Sequence, residues 1–380
     1  MATVNAHLAS LHGSYLFSEI GRRVATFSQE NPQKRLLRLG IGDVTRPLSP
    51  AVVRALESAA AEMGGVETFR GYAPSAGYPF LIDAILQTEY APLGVRLSPE
   101  DVFVSDGAKC DTANFQELFS PECVAAVCDP VYPVYADSNR MAGRRIVYLP
   151  CLPETGFAPA PPDTRVDLVY LCSPNNPTGA VLTRDQLARW VAYAKQTGAV
   201  LLYDAAYRAY IQDPSLPRSI FEIDGAKEVA VEFCSLSKSA GFTGLRCAWT
   251  VVPHENRLGL NALWARRVST KFNGVAYPVQ RAAEAALLPE GRAQCQETVA
   301  HYLESARILG QALKEAGYAV YGGENAPYLW VRCPDGLDGW AWFDELLLQK
   351  QIVLTPGEGF GACGKGFARF SSFAPQADVL

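Results

Sequence analysis

Seven short apolar runs, spread through the middle of the chain and separated by helical patterns, constrain the fold more than any other feature. They are VFVS (102–105), VAAVC (124–128), RIVYL (145–149), DLVYLC (167–172), AVLLYD (199–204), VAVEFC (229–234) and CAWTVV (247–252). Runs that are apolar at consecutive positions belong to strands covered on both faces, and strands separated by helices pair in parallel. The expected class is α/β with a mainly parallel central sheet. One connecting segment carries its own boundaries. In TRDQLARWVAYAKQTG, Thr183 and Gln186 have capping-box spacing, and Gly198 supplies the stop just before AVLLYD.

The flanks break this alternation. Residues 1–45 hold an amphipathic segment, SYLFSEIGRRVATFSQ, and the loop LGIGDVTRPLSP, while residues beyond 285 resume with amphipathic helices and short strands such as APYLWVRC. This order predicts an N-terminal arm (1–45) joined to a smaller C-terminal α+β unit (286–380), with one large domain (46–285) inserted between them. The length, 380 residues, accommodates that division. No repeat, low-complexity tract or Gly/Ser linker interrupts it.

Charge and rare residues narrow the chemistry. Lys and Arg number 34 against 39 Asp and Glu, a net of −5, so a general nucleic-acid or anionic-membrane surface is disfavoured. No uncharged apolar run approaches the ~18 residues of a membrane span, and MATVNAHLASLHGSYLF lacks the pattern of a secretory signal. A cytoplasmic protein is expected. The ten cysteines are scattered singly with no C-x-x-C pair, which predicts buried free thiols. The four histidines, His7, His12, His254 and His301, show no metal-ligand spacing, so no metal is expected and proton transfer falls to another group.

That group is found in SLSKSAGFTGLR (235–246), directly after VAVEFC. Lys238 stands at a strand end among small and hydroxyl residues, with Arg246 eight positions on. A partly desolvated lysine has a lowered pKa and can form a Schiff base, while Ser235, Ser237 and Arg246 suit a phosphate. Taken alone, such a lysine is as readily a solvated surface residue. Asp204 ends AVLLYD and Tyr207 follows, at the kind of strand end where α/β ligands bind; a lone Asp there is more often a helix cap. SPNNPTG (173–179) sets Asn176 in a proline-fixed turn that Gly179 exits sharply. SDGAKCD (105–111) offers the amides of Ala108 and Lys109 at a helix start, and DPVYPVY holds Tyr132 between two prolines for ring stacking.

Together these segments resemble the fold-type-I pyridoxal-phosphate enzymes, specifically the class I/II aminotransferases. HGSYLF, IGDVTRPL, RGYAPSAG, SIFEIDGAKEVAVEF, KFNG, NAPYLWV and GFARFSS extend the resemblance to the LL-diaminopimelate aminotransferase family along essentially the whole chain. The resemblance implies that pyridoxal 5′-phosphate is bound covalently by Lys238, paired at its ring nitrogen with Asp204, contacted at its phenolic oxygen by Asn176 and Tyr207, and stacked on Tyr132. Ala108, Lys109, Ser235, Ser237 and Arg246 would hold the phosphate, with Tyr72 reaching in from a second subunit. Arg369 would clamp the substrate α-carboxylate, and Tyr15, Gly42, Lys109, Tyr132, Asn176 and Asn273 would complete the pocket, Asn273 also touching the cofactor. A homodimer with shared active sites is thereby implied. The implied reaction interconverts LL-2,6-diaminopimelate and 2-oxoglutarate with tetrahydrodipicolinate and glutamate, one amino acid exchanging with one 2-oxo acid, on the route to lysine and cell-wall precursor. Aminotransferases of other specificity and carbon–sulfur β-lyases share the cofactor set, and a cofactor-binding regulator is the non-enzymatic alternative. In RGYAPSAG the family usually carries an acidic residue where Ser75 stands.

Overall fold

The computed structural model describes residues 2–9, 11 and 16–379. Its central sheet has seven strands: β1 (Val102–Ser105), β2 (Ala125–Asp129), β3 (Ile146–Pro150), β4 (Leu168–Cys172), β5 (Val200–Asp204), β6 (Ala230–Ser235) and β7 (Ala248–Val251). They lie in the order β1-β7-β6-β5-β4-β2-β3. The pairs β3–β2, β2–β4, β4–β5 and β5–β6 are parallel, whereas β7 runs antiparallel to both β6 and β1. Each expected apolar run thus becomes a strand of one mostly parallel sheet, with β7 reversed. β2, β4 and β5 are buried at every position, as strands covered on both faces must be.

The helix Arg184–Thr197 begins and ends where its punctuation predicts. The Thr183 hydroxyl accepts the Gln186 amide, the Gln186 side chain accepts the Thr183 amide, and Gly198 takes the left-handed conformation at φ 81°. It buries Leu187, Trp190, Val191 and Ala194 against the sheet.

A second, four-stranded antiparallel sheet follows: β8 (Val320–Gly322), β9 (Tyr328–Arg332), β10 (Thr355–Pro356) and β11 (Phe367–Ser371), in the order β10-β11-β9-β8. Its core draws on both ends of the chain, uniting Val24, Phe27 and Leu39 with Leu329, Val331, Phe343, Leu354 and Phe370. The long helix Pro289–Glu315 bridges the two regions, burying Cys295 in the larger core and Ala306 and Leu309 in the smaller. All ten cysteines are unpaired, and seven of them are buried. No helix of the described residues is long and apolar enough to cross a membrane.

Candidate active site

The C-terminal ends of β4, β5 and β6 open into a cavity of about 470 Å³, lined among others by Asp204, Ser235, Lys238, Arg246 and Arg369. Position and size are those of a small-molecule site in an α/β fold. One end gathers groups whose chemistry suits an anion. Ala108 and Lys109 start the helix Ala108–Phe115, and with Ser235, Ser237 and Arg246 they line this end. Arg246 has a left-handed backbone, φ 66°, uncommon for a residue with a side chain, and its amide donates to Phe242 O at 2.9 Å. Gly107 makes room for it: a Cβ there would lie 2.0 Å from Arg246 Nη2.

The middle of the cavity holds opposite charges that do not meet. Asp204 is buried at the end of β5; its Oδ2 accepts from the Tyr135 hydroxyl at 2.6 Å and its Oδ1 from the Ala206 amide at 3.0 Å. Burial pushes its carboxyl above the usual range, and those two hydrogen bonds pull it back. Among the described residues no cation pairs with it. Lys238 Nζ donates to Gly42 O at 2.5 Å. Burial lowers its amine from 10.5 to about 8; Asp43 opposes that shift, and Arg369 and Arg246 add to it. Tyr132 lines the wall and meets Tyr135 edge-on at 6.0 Å.

The far end is made by the second sheet. Arg369, on β11, is 1% exposed, yet among the described residues it has no carboxylate partner. Its Nη1 donates to Asn176 Oδ1 at 2.7 Å and its Nη2 to Gly40 O at 3.0 Å, while Nε is buried with no hydrogen-bond partner. A buried guanidinium with an unspent donor is costly unless an anion joins it.

The structure therefore gathers Gly42, Ala108, Lys109, Tyr132, Asn176, Asp204, Tyr207, Ser235, Ser237, Lys238, Arg246 and Arg369 around one cavity. Tyr72 and Asn273 are not among its lining residues. Tyr72 is 87% exposed, Asn273 is exposed, and a Cβ on neighbouring Gly274 would touch Ala73, so the two loops share one outer face. Tyr15 lies outside the described residues. Sequence reasoning missed Tyr135 and Tyr328, which also line the cavity. Tyr135 carried a signal, since it follows Tyr132 by three residues and so turns toward the same neighbourhood at a helix start. Tyr328, opening β9, carried none beyond its strand pattern.

A family model described as "Aminotransferase class I and II" matches residues 34–378. An LL-diaminopimelate aminotransferase of Methanosphaera stadtmanae is 51% identical, over 97% of this chain and 95% of that protein. One from Bacteroides fragilis is 50% identical, over 100% and 98%. Among solved structures, the L,L-diaminopimelate aminotransferase of Chlamydomonas reinhardtii superposes with a TM-score of 0.94 at 41% identity, covering 100% of this chain and 96% of that one.

Proposed function

The chain belongs to the class I and II aminotransferase family, and on that premise we propose that it uses pyridoxal 5′-phosphate to interconvert LL-2,6-diaminopimelate and 2-oxoglutarate with tetrahydrodipicolinate and glutamate. The observation that carries the transaminase reading is the cavity's charge pattern. An anion cradle, a buried unpaired carboxylate, a lysine of lowered pKa and a buried arginine with an unpaired donor lie along one space. The substrate rests on relatives half identical to this chain that bear that name.

The donor set fits the cofactor. Ala108, Lys109, Ser235, Ser237 and Arg246 would hold its phosphate, Asp204 its ring nitrogen, Asn176 and Tyr207 its ring oxygen, and Tyr132 its ring face. When bound, pyridoxal phosphate supplies an aldehyde that condenses with amines and a ring that accepts the electrons left by a departing α-proton. The protein supplies the rest. Asp204, pinned by Tyr135 and Ala206, stays aimed at a cationic partner that would offset the cost of its burial. Lys238 Nζ, its pKa lowered by burial to about 8, takes the substrate's α-proton and returns it. Arg369 receives the α-carboxylate in its planar fork, with Asn176 fixing the guanidinium.

Tyr72 and Asn273 are read as contributions to the partner's site in a homodimer. Their exposure on adjoining loops, with exposed Val66 and Phe69 a few residues before Tyr72, supports this. The ten unpaired cysteines suit a reducing compartment, and cytoplasmic action is proposed on that ground.

The test is a substrate panel. Purified protein loaded with pyridoxal phosphate should form glutamate from 2-oxoglutarate with LL-diaminopimelate, and meso-diaminopimelate measures what Ser75 tolerates at the distal centre. Transamination of aspartate or an aromatic amino acid without LL-diaminopimelate would overturn the substrate assignment.

A further inference from the structure

Tyr328 is 1% exposed and touches both halves of the site. Its hydroxyl lies 2.9 Å from that of Tyr207, the two rings meeting edge-on at 5.2 Å. Its face lies beneath Arg369, whose guanidinium carbon is 4.4 Å from the ring centroid, well inside cation–π range. The sheet register produces this contact. Arg369 pairs with Trp330 and Ser371 with Tyr328, so Tyr328 and Arg369 are diagonal neighbours on one face of β9 and β11. Phe373 closes the ring's edge at 5.8 Å. From the turn after β4, Gly179 backs the strand so closely that a Cβ there would lie 2.7 Å from Tyr328 O.

Two buried hydroxyls in mutual contact share one hydrogen bond and hold two protons, so one proton is left for a third group. When Tyr328 donates, that proton is on Tyr207 and available to the cavity; when Tyr207 donates, it is withheld. We propose, on the strength of the transaminase reading above, that Tyr328 is a positioning residue joining the two halves of the site: its hydroxyl donates to Tyr207 and fixes that hydroxyl with its own proton turned toward the cofactor, while its ring face holds Arg369 for the substrate carboxylate.

The two contacts separate by substitution. Tyr328→Phe keeps the ring and removes the hydroxyl; Tyr328→Leu removes both, with Tyr328→Met in its place should the leucine variant fail to fold. Cofactor affinity is read on the apoprotein by quenching of tryptophan fluorescence with pyridoxal phosphate, and KM for 2-oxoglutarate on the loaded enzyme. Tyr328→Phe should bind the cofactor about 3- to 10-fold more weakly, the range of one net hydrogen bond, with KM unchanged. The aliphatic variant should also raise KM by roughly 5-fold or more. Tyr207→Phe should weaken cofactor binding to a similar degree, and Tyr207→Phe/Tyr328→Phe no further, because both remove one relay. Wild-type affinity in Tyr328→Phe, additive effects in the double variant, or an unchanged KM in the aliphatic variant overturns the proposal. Wild-type protein that neither binds pyridoxal phosphate nor transaminates overturns the parent reading instead.

Discussion

Arg369 Nη1 donates to Asn176 Oδ1 at 2.7 Å, so a residue of β11 and a residue of the turn after β4 arrive at the site as one unit. Through this contact the smaller sheet delivers a cation to the cavity at the end of the larger one. The guanidinium's planar fork is what makes the pairing useful: Nη1 and Nη2 each spend a proton on the protein, and Nε is kept in reserve.

Replacing that fork by a point charge tests the assignment. Arg369→Lys should lower kcat/KM for both the amino acid and the oxo acid by roughly 10- to 100-fold, the loss of one charge-assisted hydrogen bond of a bidentate pair. Steady-state kinetics with each substrate varied in turn measures it. A change confined to one substrate would contradict a shared α-carboxylate site.

Lys238→Ala should abolish the colour of the cofactor-loaded protein and lower transamination by about 10²–10⁴-fold, the usual contribution of a positioned acid–base group. Far-ultraviolet dichroism should be unchanged, since among the described residues the side chain donates a single hydrogen bond, to Gly42 O.

The lowered pKa of Lys238 makes a pH prediction for the apoprotein. Addition to an aldehyde needs the neutral amine, so the rate of covalent pyridoxal-phosphate capture should climb about tenfold per pH unit at acidic pH and level off above about 8. Stability follows the same group. The folded lysine, at about 8, binds its proton more weakly than the unfolded one at 10.5, so the unfolded state holds more protons between those values. Apoprotein stability therefore gains from this residue as pH rises through that window, and Lys238→Met should remove the gain. Stopped-flow absorbance and denaturant titrations across pH check both statements.

Co-expression of Tyr72→Ala with Lys238→Ala tests the shared site. If Tyr72 serves its partner's cavity, each mixed dimer has one intact site, and the random mixture recovers roughly a quarter of wild-type activity. Two inactive parents that give an inactive mixture would remove the trans contribution.

Gly107→Ala would place a methyl group 2.0 Å from Arg246 Nη2, forcing the guanidinium out of the anion cradle. Thermal denaturation should show a cost of about 1–3 kcal/mol, and phosphate protection of the apoprotein should be lost with it.

The features legible in the sequence are those set by local chemistry. Strand ends followed apolar runs, the helix Arg184–Thr197 followed its capping box and its glycine, Asp204 ended β5, and Asn176 and Lys238 stood in the turns just after β4 and β6, because period, capping and turn preferences act over a few residues. The direction of β7 was not legible, since CAWTVV, buried on both faces, reads alike in either sense and only its partners β6 and β1 orient it. Nor were the contacts that complete the site. Arg369 and Asn176 are 193 residues apart, and Tyr207 and Tyr328 are 121 apart. The sequence by itself determined the apolar runs and turns that became the elements, and which residue types stand at their ends as candidates for the site. Only the tertiary structure decided which of them meet, because side-chain pairing between two sheets depends on strand register and on packing across the whole core, which no local pattern encodes.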